Sequence, residues 1–145
     1  MIYAEDANYW KSGKSDPDTW LEKCKKEIKA VGGKINREVI VSEDGKTGYS
    51  LEFTIADDQF KIIWPVLKCR NYDTNGVSAR AAKIQAATFM YHDIKAKCMA
   101  VKILGARRAF FGDMMLPDGR IAYQVAGDEL ARFVPAGMLP SGGNK

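Results

Sequence analysis

Basic and aromatic side chains alternate in two stretches of this 145-residue sequence. The first stretch runs from Phe60 to Tyr72 and the second from Arg107 to Phe111. Flat side chains stack on nucleobases while neighbouring cations contact phosphates, a combination common where single-stranded nucleic acids bind. The pattern therefore predicts a surface for single-stranded DNA or RNA, and we expect DNA to be the preferred ligand.

The predicted binding residues divide by their chemistry. We expect Trp64, Tyr72 and Phe111 to stack on bases, each stack contributing about 1–3 kcal/mol whatever the base. We expect cationic side chains to contact phosphates, namely Lys61, Lys68, Arg70, Lys95, Lys102, Arg107 and Arg108. Neither contact reads a particular base, so the predicted binding is sequence-tolerant. The hypothesis requires the three rings to be exposed on the same surface as Arg107 and Arg108.

The distribution of charge along the chain supports a polyanionic partner more strongly than the net charge does. The chain has 22 Lys and Arg against 18 Asp and Glu, a formal charge of +4. Residues 61–108 hold ten of the cations, and Asp73 and Asp93 are the only acids there. Such asymmetry within one chain favours a nucleic-acid-facing side.

Motifs that would indicate catalysis are missing from the sequence. It contains no glycine-rich nucleotide fingerprint, no phosphate-binding loop and no zinc-protease motif. His92 is the only histidine, and Cys24, Cys69 and Cys98 are too far apart for a local zinc site. We therefore predict a non-catalytic protein without cofactor or metal. A nuclease that uses carboxylates without histidine is the weaker alternative.

The periodicity of apolar residues and the turn signals divide the chain into helices and strands. Asp16 and Gly32-Gly33 bracket a first helix, while Ser78 and Gly105 bracket a long one. In chain order the patterns predict a helix after Asp16, strands over 35–43, 47–56 and 60–67, a helix over 79–104, a hairpin of 107–116 with 120–125, and a short helix over 128–133.

This order, α-β-β-β-α-β-β-(α), predicts an α+β fold in which two main helices pack on an antiparallel sheet. The sheet would be a three-stranded meander joined by the later hairpin. We expect a flexible N-terminal arm over residues 1–15, one domain over 16–134 and a disordered tail over 135–145. No apolar run reaches the ~20 residues that span a bilayer, and the first ten residues lack a basic-then-apolar signal pattern. We therefore expect a cytoplasmic protein without membrane contact.

The long helix also carries a second apolar stripe, formed by Phe89, Ala96, Met99 and Ile103. A helix that is apolar on two sides is packed between layers or meets another subunit. The alternative function is therefore that of a protein–protein interaction module, such as a phage accessory factor.

Two segments carry a resemblance to known proteins: FKIIWPVLKC at residues 60–69 and ARAAKIQAATFMYHDIKAKCMAVKILGARRAFF at residues 79–111. They resemble small phage and archaeal proteins of unknown function. More loosely, the order of elements over residues 15–125 is similar to that of the ThermoDBP group of non-OB single-stranded DNA-binding proteins. The resemblance implies a cleft between sheet and helices, with apolar side chains for bases and basic flanks for phosphates. Typical members end in a helical dimerisation segment, so a homodimer is left open here.

Overall fold

An antiparallel sheet of three strands forms the centre of the computed structural model, which describes residues 2–43 and 46–132. The strands β1 (Lys34–Glu43), β2 (Lys46–Ile55) and β3 (Asp58–Pro65) have the same order in space as in sequence. Tyr49 lies opposite Trp64, and Phe53 lies opposite Phe60. Alternate side chains of both strands therefore share one face of the sheet. The α+β class and the meander predicted from the sequence are confirmed.

Two helices cover this face. The first, α1, spans Pro17–Ala30 and buries Leu21, Cys24 and Ile28, which recur at three- and four-residue spacing. The sequence predicted that the side chain of Asp16 caps this helix, but it forms no capping hydrogen bond. Its carboxylate instead pairs with Arg80 at the start of the second helix, which ties the two helix beginnings together.

The second helix, α2, spans Val77–Leu104 and ends at Gly105, whose φ of +87° suits glycine. Its beginning differs from the prediction, which gave Ser78 as the capping residue. The carboxylate of Asp73 accepts the Ser78 amide at 2.8 Å. A short loop thus supplies the acceptors that the first amides of a helix need.

Aromatic packing closes the core between the sheet and α2. Phe53, Phe60 and Phe110 are fully buried, and their ring centroids lie 5.1–5.6 Å apart. Met90 and Ile94 of α2 are fully buried in the same cluster. These distances are typical of favourable aromatic pairs.

The later hairpin predicted for 107–116 and 120–125 is only partly present. The structure has a short helix α3 (Ala106–Ala109) and a longer helix α4 (Ala122–Leu130) in these places. Ala106 and Phe110 both pack on the core and are four residues apart, a helical spacing and not a strand alternation. The predicted hairpin is retained at its turn, where Met115 forms an isolated bridge with Ile121 and the Leu116 amide donates to the Arg120 carbonyl at 2.8 Å. A second isolated bridge joins Met114 to Phe60 of β3.

The N-terminal segment packs against α2 in the structure. Ala4 is fully buried, and the buried Gln85 side chain donates to the carbonyl oxygens of Ala4 and Asn8 at 2.8 and 2.9 Å. The flexibility predicted for residues 1–15 stays a prediction, but the position that the segment takes is defined. The tail predicted for 135–145 lies outside the described residues.

Candidate nucleic-acid interface

A pocket of about 220 Å³ lies where β2 begins, β3 ends and α2 starts. Three lysines line it: Lys46 at the start of β2, Lys68 after β3, and Lys83 in the second turn of α2. We call it the lysine pocket. Tyr72 completes its rim, and the other lining residues are Thr47, Val66, Leu67, Ala79 and Ala82. No carboxylate is among these residues, so the pocket is suited to an anion.

The Tyr72 ring is both exposed and held in place. Its side chain is 62% exposed, yet its hydroxyl oxygen accepts the backbone amide of Cys69 at 3.0 Å. Cys69 itself is buried, with its thiol directed to the carbonyl of Ser78. An aromatic ring fixed in this way loses little conformational entropy when a flat ligand stacks on it.

The N-terminal segment fixes the loop that carries Lys68 and Tyr72. The amide of Ala4 donates to the Lys68 carbonyl at 2.9 Å. The Glu5 carboxylate accepts the amides of Arg70 and Asn71 at 2.8 and 3.2 Å. The hydrogen bond from the Arg70 amide is the main reason that the pKa of Glu5 lies below its usual value. The loop is thus built by contacts from more than sixty residues away in sequence.

An apolar groove of about 330 Å³ adjoins the lysine pocket through the shared residue Leu67. Trp64 lines this groove together with Ile63 and Pro65 at the end of β3. Trp64 is half-buried, because its indole packs against Phe89 with 6.0 Å between ring centroids. The structure therefore places Trp64 in a groove beside the lysine pocket, at the opposite end of β3 from Asp58, the partner of Arg107.

The second basic stretch lies at the other end of β3. Arg107 of α3 donates two hydrogen bonds to Asp58, at 3.1 and 3.0 Å. Phe111 is 60% exposed and Arg108 is exposed. We call Arg107, Arg108 and Phe111 the arginine end. It is separated from the lysine pocket by the length of β3, about 23 Å at the usual rise per residue. The single surface required by the prediction is therefore two separate regions.

The remaining predicted residues lie elsewhere. Lys61 is on the face of the sheet turned away from the helices, opposite Glu52. Lys95 and Lys102 are exposed on α2, with the Lys95 ammonium 5.8 Å from the centroid of Tyr91. Arg70 pairs with Asp6, and its guanidinium lies 4.9 Å from the centroid of Tyr3. None of these four cations lines the lysine pocket.

Sequence reasoning missed Lys46 and Lys83. Lys83 belongs to the basic segment 61–108, but Lys46 precedes it by fifteen residues. The signal for Lys46 was the meander itself, since the start of its second strand must lie beside the end of its third. The register shows this directly, with Gly48 opposite Pro65.

Other titratable groups have structural partners. Lys97 bridges Asp93 and Asp113 at 3.1 and 2.9 Å, joining α2 to the turn before Met114. His92 stacks on Tyr9 with 5.3 Å between centroids. Across residues 2–43 and 46–132, no cluster of three or more His, Cys, Asp or Glu is arranged to hold a metal ion.

Fold and site together define an α+β protein whose three-stranded sheet is covered on one face by two helices and bears a lysine-lined pocket at one end. The chain matches no protein-family model, no curated protein and no solved structure. The resemblance to the ThermoDBP group therefore stays a prediction. Within the described part of the chain, no helix has both the length and the apolar character needed to cross a membrane.

Proposed function

We propose that this protein is a non-catalytic, sequence-tolerant binder of single-stranded nucleic acid, with DNA preferred over RNA. The observation that carries the proposal is the convergence of Lys46, Lys68 and Lys83 beside the exposed ring of Tyr72. Phosphates would contact the lysines, and a base would stack on Tyr72. The neighbouring apolar groove with Trp64 offers room for a second base. A cytoplasmic location accords with this function.

The lysines are available to an external anion. In the ranges 2–43 and 46–132, no ion pair includes any of the three pocket lysines. Arg70 and Arg107, by contrast, are already paired with Asp6 and Asp58. A phosphate at Arg107 or Arg70 must compete with the carboxylate of Asp58 or Asp6, whereas none of the ion pairs among the described residues occupies a lysine of the pocket.

Fluorescence anisotropy with a short labelled oligo-dT, about eight nucleotides long, tests the proposal. The variant Lys46→Gln/Lys68→Gln/Lys83→Gln should bind at least tenfold more weakly at about 50 mM salt, and the slope of log affinity against log salt should become flatter, by up to about 2 if each lysine neutralises its own phosphate. The matched control Lys26→Gln/Lys29→Gln/Lys34→Gln removes equal charge from exposed positions on α1 and at the far end of β1. It should bind within twofold of the unmodified protein.

Two results would contradict the proposal. One is an unmodified protein that binds neither oligo-dT nor oligo-U at low salt. The other is an equal loss of affinity in both triple variants, since that would reflect overall charge and not a site. A duplex of equal length should bind more weakly than oligo-dT, because its bases are not available to Tyr72.

A second proposal is that the chain assembles with another protein through α2, and exposure of the second apolar stripe favours it. Met99 is 63% and Ile103 83% exposed, while Phe89 at the other end of the stripe packs on Trp64. Light scattering across a concentration series tests self-association, with Met99→Glu/Ile103→Glu as the variant expected to remain monomeric. A strictly monomeric unmodified protein would remove the homodimer from consideration.

A further inference from the structure

We infer that the lysine pocket binds the terminal phosphate monoester of a nucleic-acid strand in preference to an internal phosphodiester. This inference rests on the proposed function and names the part of the strand that the site takes. Its basis is the match between the charge and size of the pocket and those of a strand end.

The charge of the pocket exceeds that of one internal phosphate. Three lysines line the pocket, and none of its lining residues in the described part of the chain is a carboxylate. An internal phosphodiester carries one negative charge, whereas a phosphate monoester carries about −1.5 to −2 near neutral pH and has three terminal oxygens. A monoester offers one terminal oxygen to each of the three ammonium groups that line the pocket. A diester has only two unesterified oxygens.

The size of the pocket also favours a single group. Its volume of about 220 Å³ is below the ~300–1,000 Å³ typical of sites that enclose a whole drug-sized ligand. Residues from the start of β2, from the segment after β3 and from the first turns of α2 line it. Ala79 and Ala82 leave the space that larger side chains would fill. This volume suits one phosphate and its sugar rather than a run of nucleotides.

Tyr72 places an aromatic face at the rim of the same pocket. Because its hydroxyl is held by the Cys69 amide, the ring is fixed relative to Lys68, four residues earlier in the chain. A phosphate seated on the lysines leaves its own base, or the next one, within reach of this ring. The pair of contacts distinguishes a nucleotide end from inorganic phosphate, which has nothing to stack.

Three oligo-dT strands of equal length test the inference: one with a 5′-phosphate, one with a 3′-phosphate and one with hydroxyls at both ends. Competition against an internally labelled strand should show one phosphorylated end binding about tenfold more tightly than the hydroxyl strand. The end that binds better defines the polarity of the site. Because the second phosphate pKa is about 6, the preference should shrink between about pH 7.5 and pH 5.5.

The variant Lys68→Gln/Lys83→Gln should abolish the preference, and Lys26→Gln/Lys29→Gln should keep it. Circular dichroism melting of both double variants checks that the fold is intact. If all three strands bind the unmodified protein equally and the pocket variant weakens them equally, the inference is wrong and the proposed function stands. If no strand binds, the proposed function fails. Inorganic phosphate competing as well as thymidine monophosphate would overturn the role given to Tyr72.

Discussion

Arg107 at one end of β3 donates two hydrogen bonds to Asp58, whereas the three lysines at the other end line a pocket whose described lining residues include no carboxylate. Both regions look alike in the sequence, where cations stand next to aromatic residues. They differ in the acids that the fold brings to them from elsewhere in the chain. A basic stretch becomes an anion site only where folding leaves its charges unmatched.

The two regions also differ in what holds their aromatic residue. Tyr72 is fixed by the Cys69 amide, and its loop is bound by Ala4 and Glu5 of the N-terminal segment. Phe111 follows a short helix, and Asp113, two residues later, pairs with Lys97 of α2. The pocket therefore depends on the N-terminal segment, and the arginine end depends on an ion pair to α2. Separate variants can break each dependence.

The largest effect is expected from Gln85→Leu. Losing the Gln85 amide leaves the Ala4 and Asn8 carbonyls without their donor, which should lower the free energy of unfolding by about 2–3 kcal/mol. Urea denaturation measures this loss. Hydrogen exchange should quicken in residues 68–73 and remain unchanged in 107–113, since Gln85 holds only the segment that builds the pocket loop.

Thr88→Val is the matched control, because it removes a buried side-chain hydrogen bond that stays within α2, to Ile84. It should cost less than Gln85→Leu and leave exchange in both loops unchanged. Faster exchange over 107–113 in the Gln85 variant would contradict the independence of the two regions.

The sequence was sufficient for the sheet and for both main helices because their periodicities are long and regular. Tyr49, Leu51 and Phe53 are alternate residues of β2 on the face of the sheet that the helices cover, as predicted, and all three are buried. The segment after Gly105 was predicted as a strand because Phe110-Phe111 has a composition typical of strands. In the structure Ala106 and Phe110 pack on the core together, at the four-residue spacing of a helix. Whether such a segment forms a helix or a strand is decided by its packing in three dimensions.

The candidate site was half predictable. Lys68 and Tyr72 followed from local composition, but pairing of Arg70 with Asp6 and of Arg107 with Asp58 joins residues 64 and 49 positions apart. An arginine that is neutralised by a carboxylate so far away in the chain leaves no pattern in the sequence around it. Lys46 was missed for the same reason, since it reaches the pocket through strand register and not through sequence proximity.

A medium effect is expected from Lys97→Met at the arginine end. Asp113 is mostly buried, and burial raises the pKa of its carboxyl even with Lys97 beside it. Removing the ammonium leaves that carboxylate without its cation and should cost about 1–2 kcal/mol of unfolding free energy near neutral pH. Lys97→Arg should retain most of the stability, because it keeps the charge.

The pH dependence of this variant has a definite sign. A carboxyl whose pKa is higher in the folded state than in the unfolded state binds its proton more tightly in the folded protein. Its contribution to stability therefore falls as the pH rises from its pKa in the unfolded state through its pKa in the folded state. Loss of Lys97 raises the folded pKa of Asp113 further and widens this window. The difference in stability between the unmodified protein and Lys97→Met should therefore shrink as pH is lowered toward about 4. A difference that stays constant or grows on acidification would contradict this role of Asp113.

The smallest effect is expected from Asp58→Asn, which releases Arg107 from its partner. The hydrogen bond from Arg107 lowers the pKa of Asp58, so mild acidification leaves the pair intact and a substitution is needed to break it. The released guanidinium lies about 23 Å from the lysine pocket, well beyond the Debye length of about 8 Å at physiological salt. Affinity for a strand of about four nucleotides should then change less than twofold in an anisotropy titration. A rise of threefold or more would mean that the two ends of β3 act on the strand as one surface, since only a ligand that spans the sheet gains from a cation placed so far from the pocket.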